Sequence, residues 1–279
     1  MSSKVVSTLV LVVSMAVTGL ACAPRGVLGE AEAAVRRDDY PNAAALLESH
    51  LHTHPEDVPA RALLVRVLAL SSRLDLARRE CEILARYLPP GSPRPAIELG
   101  HAFELSHDYE RALASYDDAA RMAPALPDGP RIGGLRAARW GEAEMAVPRL
   151  EEAVRRGAND AETLHALGLA RMHLGRLEEA ESAYRTATRL HPDATDAWLG
   201  LATVALVRKD HAAALVAYER LVALRPTSPD ASLGRAYALA RLGRTAEARR
   251  ELDRAEKLGA KPANLAKQRA WLDASEASR

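Results

Sequence analysis

"AYRTATRLHPDA" (residues 183–194) and "AYERLVALRPTS" (217–228) both write Ala-Tyr, an apolar stretch with helical spacing, Leu-x-Pro and a polar break, 34 residues apart (217 minus 183). A fixed period of this size marks stacked repeats, in which each unit touches only its neighbours. Carrying the frame both ways from Ala180 and Ala214 reaches Ala43, Ala77, Ala112, Ala146 and Ala248, with one extra residue, Ser92, admitted in the break "PPGSPRP" (89–95). Four residues after each alanine stand Leu47, Cys81, Tyr116, Leu150, Tyr184, Tyr218 and Leu252; three further on come His50, Leu84, Ala119, Ala153, Ala187, Leu221 and Ala255. Spacing of i, i+4, i+7 draws one stripe along a helix, and His50 is its one polar member. Twelve residues before each alanine lies a mostly small series, Ala31, Val65, Gly100, Gly134, Gly168, Ala202 and Ala236. Two small residues at a fixed separation suit the closest crossing of two antiparallel helices. Twelve residues after come Pro55, Pro89, Pro124, Ala158, Pro192, Pro226 and Ala260, and proline there stops the second helix.

Composition agrees. Apolar residues make up 48% of the 279, yet only 4% are aromatic, so cores are built from Leu, Val and Ala and the class is all-α rather than all-β. Formal charge is +1; without Lys4, the one charged residue of the first 21, Lys plus Arg falls from 38 to 37 against 37 Asp plus Glu. Near-neutrality removes the electrostatic footprint of a nucleic-acid binder and the pull of an anionic lipid surface.

The pattern resembles the tetratricopeptide repeat, a helix-turn-helix unit of 34 residues. The resemblance spans seven units: 24–57, 58–91, 93–126, 127–160, 161–194, 195–228 and 229–262. Unit 161–194 matches best, with Leu164, Leu167, Gly168, Gly175, Ala180, Tyr184, Ala187 and Pro192 on signature positions, and Trp198 takes the aromatic place of the next. The implied fold is an all-α, right-handed superhelical solenoid closed by a C-terminal capping helix over 263–279, with Leu265, Ala266, Arg269 and Leu272 along one side. Departures are Glu30 in the first unit, which should be the weakest, and Pro130 and Pro148 in 127–160, which imply local distortion or a late second helix.

The resemblance also implies that the second, fifth, ninth, twelfth and thirteenth residues of a unit face inward. Here these supply an apolar floor of Leu135, Leu169, Met172, Leu199, Thr203, Leu206, Val207, Leu233 and Tyr237. Around it stand Arg131, Arg139, His165, His173 and Arg241, with Glu162, Asp196 and Asp230 at the helix starts. An apolar floor with a charged rim fits an extended peptide or a partner helix, against the plainer alternative that these side chains pack on their neighbours. The carboxylate clamp of chaperone-binding relatives is absent, since the sixth position carries no Asn.

The N-terminus "MSSKVVSTLVLVVSMAVTGLACAPRG" has the order of a secretory signal. Thr18-Gly19-Leu20-Ala21-Cys22 resembles a lipobox, with Gly19 where Leu is usual. This implies a signal peptide over 1–21, diacylglycerol on Cys22 as a membrane anchor, and a short tether into the array; an uncleaved anchor and plain secretion are the alternatives. Ala23 in place of Asp favours the outer membrane, facing the periplasm. Lipidation would leave Cys81 without a disulfide partner, as a small buried apolar residue.

His50, His52 and His54 run into Pro55, and His101, Glu104 and His107 lack the HExxH spacing, so neither set reads as a metal site. No nucleophile elbow, phosphate loop or dinucleotide fingerprint is present, and glycine-rich "RIGGLRAARWGE" (131–142) follows no strand. The expectation is a non-catalytic, cofactor-free scaffold for a protein or peptide of the bacterial envelope. Narrower versions are a pilotin-like assembly chaperone for a secretin or pilus system and an accessory regulator of a cell-wall enzyme.

Overall fold

The computed structural model describes residues 26–277. Among the described residues there are fifteen helices and no strand, and the chain divides into two compact units between Gly129 and Pro130. The first unit holds α1 (Val27–Arg36), α2 (Tyr40–Thr53), α3 (Val58–Leu70), α4 (Leu74–Arg86), α5 (Arg94–Leu105) and α6 (Tyr109–Met122). The second holds α7 (Asp128–Trp140) from Pro130 onward, α8 (Ala143–Arg155), α9 (Ala161–His173), α10 (Leu177–Leu190) and α11 (Thr195–Val207). It continues through α12 (His211–Leu224), α13 (Pro229–Arg241), α14 (Thr245–Lys257) and α15 (Pro262–Ala277). Odd-numbered helices open a hairpin and even-numbered ones close it; α3 packs on α4, α5 on α6, α9 on α10, α11 on α12 and α13 on α14.

The repeating small residues sit where the two arms of each hairpin cross. Ala43, Ala77, Ala112, Ala146, Ala180, Ala214 and Ala248 are all 0% exposed, and the preceding series from Ala31 to Ala236 is buried opposite them. In several hairpins the space saved is taken by a large side chain, Tyr116 beside Gly100, Leu150 beside Gly134 and Tyr218 beside Gly234. In unit 161–194 that side chain is Tyr184, fully buried. A Cβ on Gly168 would come within 2.6 Å of its ring, and one on Gly200, in the next hairpin, within 2.5 Å. Tyr184 therefore links two hairpins, and burying such a ring is worth about 1.5–3 kcal/mol.

Local chemistry sets the helix ends. Asp39, Asp57, Asp108, Asp160, Asp210 and Ser228 cap α2, α3, α6, α9, α12 and α13, each accepting a backbone N–H from the first turn. Between the helices of every hairpin, the fifteenth residue of the unit takes positive φ. It is Gly141, Gly175 and Gly243 in three units but Asp38, Ser72, His107 and Lys209 in the others, where the left-handed backbone strains any residue with a Cβ.

The second-helix stop has two versions. Where the repeat lacks its proline, at Ala158 and Ala260, the preceding glycine takes over: Gly157 (φ 99°) and Gly259 (φ 87°) are left-handed. Ala158 N–H then donates to Ala153 at 2.9 Å and Ala260 N–H to Ala255 at 2.9 Å, closing the glycine-type helix end.

The expected distortion of unit 127–160 is corrected by position. Pro130 is the third residue of α7, where its missing N–H would have had no intrahelical partner. The second helix does not begin late: α8 starts at Ala143 and runs through Pro148. Pro148 removes the backbone bond to the Glu144 carbonyl, and both residues lie on the exposed side of the helix. At the C-terminus Leu265 and Leu272 are buried against the second unit's core and Arg269 pairs with Asp253 and Glu256 of α14, whereas Ala266, expected on the same side, is exposed.

Two substitutions should move stability in opposite directions. Ala180→Trp overpacks a crossing and should cost about 1–3 kcal/mol or more, while Lys209→Gly relieves a left-handed backbone and should add about 0.5–1 kcal/mol. Urea unfolding followed by circular dichroism checks both, and an unchanged midpoint for Ala180→Trp would contradict the crossing geometry.

Candidate functional site

The first helices of the second unit carry the expected groove residues, and the structure sorts them by use. Leu199 on α11 is 49% exposed, Val207 56% and Tyr237 on α13 37%. Leu135 and Leu169 are half-buried, and Arg139, His173 and Arg241 are exposed at the last turns of α7, α9 and α13. Thr203 donates its hydroxyl to the Leu199 carbonyl of its own helix at 2.9 Å.

Other members of the expected floor are used by the fold. Leu233 is a correction: only 6% exposed, it belongs to the same core as Leu265 and Leu272 of α15, and its carbonyl accepts from the Gln268 amide at 3.4 Å. Met172 and Leu206 are half-buried and pack on the cores around Tyr184 and Leu239 respectively. His165 stands with its ring 5.8 Å from that of Tyr184. Burial holds its pKa below the ordinary histidine value, with Asp196 pulling the other way. His165 lines a recess of about 290 Å³ with Glu162, Asp193, Thr195 and Asp196, at the starts of α9 and α11.

Arg131 is likewise engaged. Its Nε donates to Asp160 Oδ2 at 3.0 Å and to Thr163 Oγ1 at 2.9 Å, and its Nη2 donates to Asp160 Oδ1 at 3.1 Å and Glu162 Oε2 at 2.8 Å. Asp160 also accepts the Thr163 N–H at 3.0 Å as the cap of α9. Partial burial alone would raise the Asp160 carboxyl, but the Arg131 and Thr163 hydrogen bonds outweigh it and hold the pKa at about 2. Arg131 is thus a clasp between consecutive hairpins.

Sequence reasoning missed one member of this face. Carrying the register past 262 puts Trp271 of α15 in line with Leu135, Leu169, Thr203 and Tyr237, each 34 residues apart. Trp271 is partly exposed, with the Arg241 guanidinium 5.4 Å above its ring. Arg241 Nε donates to His211 Nε2 at 3.3 Å, and the His211 ring meets that of Tyr237 edge-on at 6.3 Å. The terminal helix therefore extends the exposed row with a second aromatic.

The rejected sites have structural uses too. His50 Nε2 lies 2.8 Å from Asp57 Oδ2, the cap of α3, and its ring stacks on His54 at 4.6 Å. Glu98 of α5 is buried in its pairing with Arg66 of α3. Burial alone would raise its carboxyl, but the His101 ring, 3.6 Å away, and the Arg66 hydrogen bonds bring it down to about 2. Among the described residues no group of three His, Cys, Asp or Glu side chains is placed to hold a metal ion, and no helix is long and apolar enough to cross a membrane. Cys81 is buried, and burial, then Glu98, Glu80 and Glu82, push its thiol up to about 12, which suppresses the thiolate. Cys22 lies outside the described residues.

The clasp makes a pH prediction. Asp160 has its folded pKa depressed from 3.8 to about 2, so its contribution is present above the unfolded value and lost as pH falls from about 4 through about 2. In Arg131→Gln the acid limb of thermal stability should shift toward the ordinary Asp range, as read by melting curves across that window. An unmoved limb would mean the clasp is only a surface contact.

Comparisons with known proteins agree with this architecture. A family model described as tetratricopeptide repeat matches residues 28–93, 134–185 and 165–229, and a second of the same description matches 205–272. No curated protein matches the chain in sequence. Among solved structures, the C-terminal part of a TPR repeat-containing protein from Cytophaga hutchinsonii is similar at 16% identity and TM-score 0.60, over 83% of this chain and 93% of that one. A crystal structure of MamA protein is similar at 21% identity and TM-score 0.56, over 60% of this chain and 91% of that one. At these identities the likeness is one of fold. The family models span more than half of the chain, and the protein belongs to the tetratricopeptide repeat family.

Proposed function

We propose that the protein is a non-catalytic scaffold that takes an extended peptide or a helix of a protein partner along the first-helix face of its second unit. The observation that carries this reading is the row of exposed apolar and aromatic side chains Leu199, Val207, Tyr237 and Trp271 on that face. Such side chains lose water only when something covers them, and aromatics at a rim of Arg and His are the usual anchors of a protein interface. Tetratricopeptide repeats are in general interaction scaffolds, which supports the class of partner.

Within this reading, the lipobox-like Thr18-Gly19-Leu20-Ala21-Cys22 supports anchoring through acylated Cys22 to the outer membrane, facing the periplasm. The partner is then another envelope protein. Assembly chaperone for a secretin or pilus system and accessory regulator of a cell-wall enzyme remain the two narrower forms.

The experiment is in-cell crosslinking from the face, with the captured protein named by mass spectrometry. Leu199→Glu combined with Tyr237→Glu should leave the melting temperature nearly unchanged, both sites being exposed, and should reduce capture at least tenfold. Capture undiminished by the double substitution would place the site elsewhere. Cys22→Ser should remove acyl labelling and release the protein from membranes; persisting label would end the anchor reading.

A further inference from the structure

A second candidate surface lies in the first unit and is built from residues that take no part in the face discussed above. A recess of about 560 Å³ opens between α4, α5 and α6. Cys81, Ala85, Ala96, Leu99 and Met122 give it an apolar lining, while Arg78 and Glu82 of α4 and Asp118 and Arg121 of α6 add both charges. Arg121 and Asp118 pair with each other along α6.

The register explains why the space is open. Ala96 is the fourth residue of unit 93–126, and the same position three repeats on (198 minus 96 is 102) is Trp198. That indole packs against its unit's core, donates Nε1–H to the Pro192 carbonyl at 2.9 Å and lies under the Arg220 guanidinium at 5.6 Å. In unit 161–194 the position is Leu164, 2% exposed. These repeats fill the place with their own large side chain, whereas Ala96 stops at Cβ and leaves the cavity of a missing one.

We propose that this recess receives an aromatic side chain of indole size from a partner protein, which takes the place that Trp198 takes in its own repeat. The apolar lining matches a ring, and the exposed Met122 thioether at the edge is a favourable neighbour for one. The recess is open rather than enclosed. A free small ligand gains affinity by having most of its surface covered, while a side chain carried on a protein has its flanks held by the surrounding contacts, here charged groups of both signs.

The test uses the full chain with the Met122 methyl group followed by NMR. Indole and the tripeptide acetyl-Ala-Trp-Ala-amide should both shift that signal, with dissociation constants on the order of 1 mM, and acetyl-Ala-Ala-Ala-amide should not. Ala96→Trp should abolish both shifts and raise the melting temperature. In case that ring does not seat, Ala85→Glu, on an exposed position, should weaken both at least tenfold while leaving the fold unchanged. The groove double substitution Leu199→Glu with Tyr237→Glu should leave both intact. Absence of any shift, or shifts unaltered in both recess variants, would overturn the proposal. Binding of indole with rejection of the tripeptide would overturn it in favour of a small-molecule pocket.

Discussion

Everything in this protein depends on how closely two helices of a hairpin approach. The seven alanines and their small counterparts let the backbones nearly touch, and that closeness defines where the next large side chain must go. Tyr184 shows the consequence: it fills the space beside Gly168 and presses on Gly200 of the following hairpin, so one crossing sets the next. Stability is then a chain of nearest-neighbour interfaces rather than one central core. Polar links reinforce the same joints, Arg131 to Asp160 and Arg66 to Glu98, each running from a first helix to the next hairpin.

That logic explains which features were legible in the sequence. A crossing favours small residues, so alanine recurs in all seven repeats on one side and a small residue in all but one on the other, which could be read as a period, and the proline stops and the family assignment followed. The turn after the first helix was harder to read, because its requirement is a backbone conformation that Gly, Asp, Ser, His and Lys all supply here. The irregular unit 127–160 was misjudged for a similar reason. Pro130 sits in the first turn, where its missing N–H has no intrahelical partner to lose, and Pro148 lies on the exposed side of α8, which continues through it.

The candidate face was legible as a set of positions but not as a set of roles. Family register identifies which residues stand on the first-helix face; it does not say whether a neighbour covers them. Leu233 lies under the terminal helix's core and Arg131 is tied to three acceptor residues, while Leu199 and Tyr237 stay open. Trp271 escaped because the register was stopped at the last full repeat, although α15 continues it. Its exposed ring beside Arg241 gives the closing helix a surface like that of the repeats it terminates.

Repeat proteins acquire specificity by departing from the register at positions the fold can spare. The fourth residue of the unit is such a position: it reads Arg61, Ala96, Pro130, Leu164, Trp198 and Ser232 in successive repeats. Arg61 donates to the Pro55 carbonyl and pairs with Glu80, with its guanidinium over the ring of Tyr87, and Trp198 brings its own carbonyl partner and cation. In a crossing a change of this size would break the stack, but beside it the same change alters only what lies on the surface. At Ala96 a small residue leaves a concave apolar recess whose walls are positioned by neighbouring hairpins, whereas Ser232 at the same position is buried by its surroundings. The rigid crossing and the variable neighbour are therefore two parts of one mechanism, the first holding walls in place and the second deciding whether the space between them is filled from within or from without.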